Sequence, residues 1–401
     1  MKYDFDEIID RKGTNSLSYD GWKSYMFGNE QNYAFPYKNE DYIRLWVADM
    51  DFSTPPEVLE AIRDRLDRKI LGYSSIYDPE YYQVVQRWFL KRYQWKINLE
   101  HLVVSPGIIP ALNRLVSLLT SDNESVLINT PSYTPFKTAC DINDRQVFYS
   151  NLVLEQNAYE LNFEDIVNQL EDKQKNIKLF IFCNPHNPTG RIWTEAELHK
   201  IGKICIERNV WIISDEIHCD LLRKGKVHIP LASLFPQSDR IITCTAPSKT
   251  FNLAGNLMSH VFIPNDIIRN KWTRFYFDLL SPLSIEAVKA AYGYCEEWLE
   301  QLREYLDGNF NYLKVQLDEH LPESKFEVPE STYLAWIDIS EYADKIPGQN
   351  ISRFFAEKAG VLVEDGNMFV ANAQGYIRLN LACPRSVLQE GIHRIVEVLR
   401  R

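Results

Sequence analysis

Ile177-Lys178-Leu179-Phe180-Ile181-Phe182-Cys183, then Thr194-Glu195-Ala196-Glu197-Leu198, then Val210-Trp211-Ile212-Ile213-Ser214 is the stretch that decides the fold. Its two ends are short, almost continuously apolar and rich in Ile, the composition of strands covered on both faces. In the middle, Thr194 is followed three residues later by Glu197, a capping box, and then by Leu198, Ile201 and Ile204 at helical spacing. Strand, helix, strand of this kind predicts an α/β fold with a mainly parallel sheet.

The same alternation extends in both directions. Further strands are expected at 125–128, 241–245 and 260–263. Helices are expected where Tyr81, Val84, Val85, Trp88 and Phe89, and again Leu112, Leu115, Val116 and Leu119, recur on one face. After Pro282 the pattern changes to long helices with strands only around 333–339 and 376–379, which predicts a second, smaller α+β domain. The irregular, aromatic start of the chain reads as an arm. The expected division is an arm over 1–45 belonging to the small domain, a large domain over 46–285 and a small C-terminal domain over 286–401, in keeping with 401 residues.

Composition narrows the function. With 45% hydrophobic and 25% charged residues the chain is globular rather than disordered or fibrous. A net charge of −11 argues against nucleic acid as a partner, which needs clustered Lys and Arg. Seven cysteines form no CxxC pair and eight histidines show no metal-ligand spacing, so neither a disulfide framework nor a metal is expected. The acidic start, Met1 to Glu7, lacks the apolar stretch of a signal peptide, and no run is long enough to span a bilayer. The expected compartment is the cytoplasm, with no membrane partner.

Several motifs at the ends of the expected strands carry chemistry. Lys249, in Pro247-Ser248-Lys249-Thr250-Phe251-Asn252, follows a buried strand directly. Burial there lowers a lysine's pKa and favours the neutral amine nucleophile; an isolated lysine would otherwise be a solvated loop residue. Asp215, in Ser214-Asp215-Glu216-Ile217-His218, ends another strand, as an acid able to protonate a pyridine nitrogen or simply as a helix N-cap. Alternation along a continuing strand would turn Asp215 and Ile217 to one side and Glu216 and His218 to the other. Asn187, in Asn184-Pro185-His186-Asn187-Pro188-Thr189-Gly190, sits on a rigid turn with its amide as a donor. Ser105-Pro106-Gly107-Ile108 opens a helix whose free N–H groups suit a phosphate. Tyr133 lies on a proline-bounded turn, placed to stack on a flat ring or to fill core. Arg378, alone in the apolar strand Tyr376-Ile377-Arg378-Leu379-Asn380, needs an anion: a substrate carboxylate or an internal acid.

Taken in this order over most of the chain, these motifs resemble the fold-type I pyridoxal-phosphate (PLP) enzymes, the aspartate-aminotransferase superfamily. Within it the chain looks like the MalY/PatB-type cystathionine β-lyases, or C–S lyases, on Trp46 to Phe52, Ser105 to Ala111, Thr245 to Gly255 and Arg378 to Arg385. His218 falls where aminotransferases usually carry tyrosine. The resemblance implies a mainly parallel, seven-stranded sheet in a large PLP-binding domain, with a smaller α+β domain. It implies that Lys249 carries PLP and moves the Cα proton, with Asp215 on the ring nitrogen, Asn187 on the ring oxygen and Tyr133 stacked on the ring. His218 belongs to the same cofactor surroundings. Gly107, Ile108 and Ser248 would hold the phosphate, Arg378 the α-carboxylate of an amino-acid substrate, and Tyr73 the phosphate of a neighbouring subunit in a homodimer. The implied reaction is α,β-elimination from a β-thioether amino acid to thiol, pyruvate and ammonia. The alternative is transamination on the same residues, with restraint of a regulator protein as a further role. Ser18-Tyr19-Asp20, Ser331 and Asn256 depart from the family pattern, which bears on the shape of the entrance and hence on the substrate.

Overall fold

A computed structural model describes residues 2–28, 33–275, 279–346, 348 and 350–400. Its main sheet has seven strands in the order Leu102–Ser105, Ser259–Phe262, Ile241–Thr245, Trp211–Asp215, Ile177–Cys183, Ser125–Thr130 and Val147–Asn151. Every strand runs the same way except Ser259–Phe262, which is antiparallel to both neighbours. The expected mainly parallel sheet is therefore present.

The apolar continuity of its strands has a direct cause. In Ile177–Cys183, Leu179, Ile181 and Cys183 pack under the helices Ile108–Leu119, Thr134–Ile142 and Asp266–Phe275, together with Leu112, Leu115, Phe136 and Trp272. Phe180 and Phe182 pack on the opposite face against Leu198, Ile201 and Ile204 of the helix Glu195–Glu207. Both faces are dry, so neither can be polar. The capping box is formed: the Thr194 hydroxyl accepts from the Glu197 amide, and the Glu197 carboxylate accepts from Thr194 N at 2.7 Å.

A second sheet orders Ile43–Leu45, Val361–Asp365, Tyr376–Asn380 and Leu334–Asp338. It is backed by Phe310, Leu313 and Leu317 of the long helix Glu296–His320, and by Leu388, Ile392 and Ile395 of the helix Arg385–Arg400. The arm packs on its own chain. Trp22, Phe27, Tyr42 and Trp46 cluster with Ala356 and Leu362 of the second sheet's layer, while Phe5 meets Trp298 edge-on and Tyr305 at a tilt. Among the described residues no helix is long and apolar enough to cross a membrane.

Candidate active site

Parallel strands leave a crevice at their carboxyl ends, where the connections diverge. Five of them deliver the candidate residues there: Ser105 leads to Gly107, Thr130 to Tyr133, Cys183 to Asn187, Asp215 stands at its own strand end, and Thr245 leads to Lys249. Gly107, Ile108, Tyr133, Asn187, Asp215, His218, Ser248 and Lys249 line one cavity of about 420 Å³. That volume suits a small cofactor and substrate together.

Lys249 sits on the single turn Pro247–Thr250, and its Nζ donates to the Ala48 carbonyl at 2.5 Å. Burial holds its pKa below the usual lysine value; Arg378 adds to this, while Asp49, Glu364 and Asp215 oppose it. Asp215 is buried, and its carboxylate accepts the Ile217 amide at 3.2 Å. Burial raises its carboxyl to about 7, the Ile217 amide and Lys249 pull it down, and Glu216 pushes it further up. Such an acid is stabilised in its charged form by a cation delivered into the cavity.

The strand ends at Asp215, so the alternation of a continuing strand does not apply to the motif. Asp215, Ile217 and His218 all reach the cavity. Glu216 alone turns away, accepting from Ser214 Oγ at 2.7 Å and Leu231 N at 3.0 Å and pairing with His228 at 2.8 Å. Burial, with Lys249 and Arg378 nearby, lowers His218 to about 3, so its ring is neutral at ordinary pH.

The turn bearing Asn187 is fixed by its chemistry. Gly190 has φ +68°, and a Cβ there would stand 2.4 Å from the Pro329 side chain. Ser331, one of the departures from the family pattern, donates its hydroxyl to the Gly190 carbonyl at 2.9 Å. Asn187 Oδ1 accepts from Arg378 Nη1 at 2.9 Å, which leaves Nδ2 as the donor for the cavity. Arg378 is buried and is not among the residues lining the cavity, and of the two anions expected for it the internal acid is the one found, Glu364 being its ion-pair partner. Tyr73 lies apart from this group, 95% exposed on the surface.

Sequence reasoning missed Glu364, Tyr333 and the Ala48 carbonyl. Tyr333 Oη donates to Ala48 O at 3.0 Å, on the same oxygen that takes Lys249. Glu364 did carry a signal, being an acid in the apolar run Val361-Leu362-Val363 just as Arg378 is a base in its own.

The donors fit pyridoxal 5'-phosphate. Lys249 and the buried acid Asp215 share the cavity with the Asn187 amide, the Tyr133 ring, Ser248 and the start of the helix Ile108–Leu119, groups that would hold an aldehyde, a pyridine nitrogen, a ring oxygen, a ring face and a phosphate. Fold and site together define the class of fold-type I PLP enzymes. The comparisons make this specific. The aminotransferase class I and II family profile matches residues 40–395, and the chain belongs to that family. It is 36% identical to cystathionine beta-lyase PatB of Bacillus subtilis, over 98% of this chain and 99% of the relative. A PLP-bound C-S lyase from Staphylococcus hominis superposes with TM-score 0.94 at 46% identity, covering 100% of this chain and 98% of that one. Cystalysin from Treponema denticola, a structure containing pyridoxal 5'-phosphate, gives 0.91 at 34% identity, covering 100% and 99%.

Proposed function

We propose that this chain is a PLP-dependent C–S lyase of the cystathionine β-lyase type, cleaving the Cβ–S bond of an L-amino-acid thioether. The observation that carries the reading is a buried lysine of lowered pKa sharing one cavity with the buried acid Asp215. When bound, PLP supplies an electron-accepting ring for the pair left on Cα. Asp215 keeps the ring nitrogen protonated, and that cation in turn satisfies the acid. Asn187 Nδ2 donates to the ring oxygen, Tyr133 covers one ring face, and Gly107, Ile108 and Ser248 hold the phosphate. Arg378 orients the substrate carboxylate. Lys249, whose burial lowers its pKa and so favours the neutral amine, takes the Cα proton as general base. The sulfur leaves Cβ with its bonding pair as thiolate and is protonated to the thiol. The remaining three carbons and nitrogen are hydrolysed to pyruvate and ammonia.

Tyr73 supports a homodimer, because a family phosphate ligand that stands exposed in its own chain, beside exposed Ile70, Leu71 and Tyr77, is placed for a neighbour's site. Two separate sheets support a division near residue 45, while the helix Pro282–Tyr294 runs through residue 285 and packs on the helices Pro56–Asp67 and Pro79–Tyr93 of the proposed large domain. Seven buried cysteines, free of disulfides, suit the reducing cytoplasm.

The test supplies purified holoprotein with L-cystathionine and no 2-oxo acid. Thiol and pyruvate in equal amounts are expected. Turnover that appears only after 2-oxoglutarate is added would make the protein a transaminase.

A further inference from the structure

Arg378 is already engaged before any substrate arrives. It faces Glu364 across neighbouring antiparallel strands, Tyr376–Asn380 and Val361–Asp365, and the two residues are register partners. Both are buried, at 2% and 6% exposure. Nη2 forms the ion pair with Glu364, and Nη1 donates to Asn187 Oδ1 at 2.9 Å. The guanidinium lies 4.9 Å from the Phe369 ring centre, which closes another side. Among the described residues Nε has no hydrogen-bond partner.

A carboxylate bound tightly by arginine takes two parallel N–H groups of the fork. Here Nε is the group without a partner, and the Nη2 beside it is held by Glu364. A substrate α-carboxylate approaching that edge meets a second carboxylate at close range, in a site that water does not screen. The pair has little value as a staple, since burying two ions costs about what their attraction returns. Its position on the substrate's arginine gives it a different use.

We propose that Glu364 is a specificity-determining residue, an internal carboxylate that competes with the substrate α-carboxylate for Nη2 of Arg378. The competition lowers the affinity of every α-amino acid by about the same factor, so that ligands bringing little beyond amine and carboxylate fall below useful binding while those whose longer β-substituent adds contacts of its own do not. The inference rests on the assignment of Arg378 to the α-carboxylate made above.

The test titrates the holoenzyme with L-alanine, and with L-alaninamide, which lacks the carboxylate, following the cofactor's absorption. In Glu364→Gln, which keeps shape and removes charge, L-alanine is expected to bind at least about tenfold more tightly, while L-alaninamide changes by less than about twofold. Glu364→Asp withdraws the carboxylate by one methylene and is expected to tighten L-alanine by a smaller factor. Unchanged or weaker L-alanine binding in both variants overturns the inference, as does an equal shift for both ligands. The underlying assignment is read separately from Arg378→Ala: if the wild type and this variant bind L-alanine equally well, Arg378 does not hold the carboxylate, and the inference falls with it.

Discussion

Asp215 illustrates how one residue couples cofactor binding to stability. Without a cation its carboxyl sits at about 7, against 3.8 for the free side chain, because burial disfavours the charged form. Between those values the cofactor-free native state holds a proton that the unfolded chain has lost, so stability falls as pH rises through that window. Three units amount to at most about 4 kcal/mol. Cofactor-free Asp215→Asn is therefore expected to lack this decline and to exceed the wild type at pH 8 by up to about 4 kcal/mol in urea unfolding. Parallel pH slopes for the two proteins would refute the electrostatic reading of this acid. In the holoenzyme the same change is expected to lower kcat by about a hundredfold or more, since the ring nitrogen loses its counter-charge.

Among the elements, the turn 184–190 is held as much by its neighbours as by its own prolines. Glu330 accepts from Arg191 Nη1 at 2.9 Å, Ile192 N at 2.9 Å and Lys226 Nζ at 2.8 Å, tying the end of that turn to the segment before Ser331. Glu330→Ala is expected to cost about 1–3 kcal/mol in unfolding and to lower kcat/KM, because Asn187 and through it Arg378 lose their fixed position. An unchanged midpoint and unchanged kinetics would show the tie to be idle. No sequence pattern marks Glu330, because its partners lie 104 to 139 residues away. The strands at 177–183 and 241–245 were legible because burial on both faces forces an apolar run. Val147–Asn151 is half-exposed and Ile43–Leu45 only three residues long, and their sequences lack that mark, while Leu102–Ser105 is apolar and buried throughout but only four residues long. The reach of His218 into the cavity depended on where its strand stops, which alternation alone does not fix. Lys249, Asp215 and Asn187 were legible because each follows a strand that the pattern had located.

At the scale of the whole molecule, the account predicts that no single chain completes its site. Under the proposal of a homodimer, Tyr73, 95% exposed in its own chain, would enter the cavity of a second copy. Lys249→Ala and Tyr73→Ala proteins, each nearly inactive alone, are expected to regain activity when mixed and refolded together, because one site of the hybrid then carries both native residues. Mixtures that stay inactive while sedimenting as dimers would contradict a shared site. The most direct measurement of the central claim is borohydride reduction of the PLP-loaded protein, followed by peptide mass mapping. The account predicts a single cofactor adduct on the peptide holding Lys249. An adduct on another lysine, or none in a protein that still turns over, would contradict it.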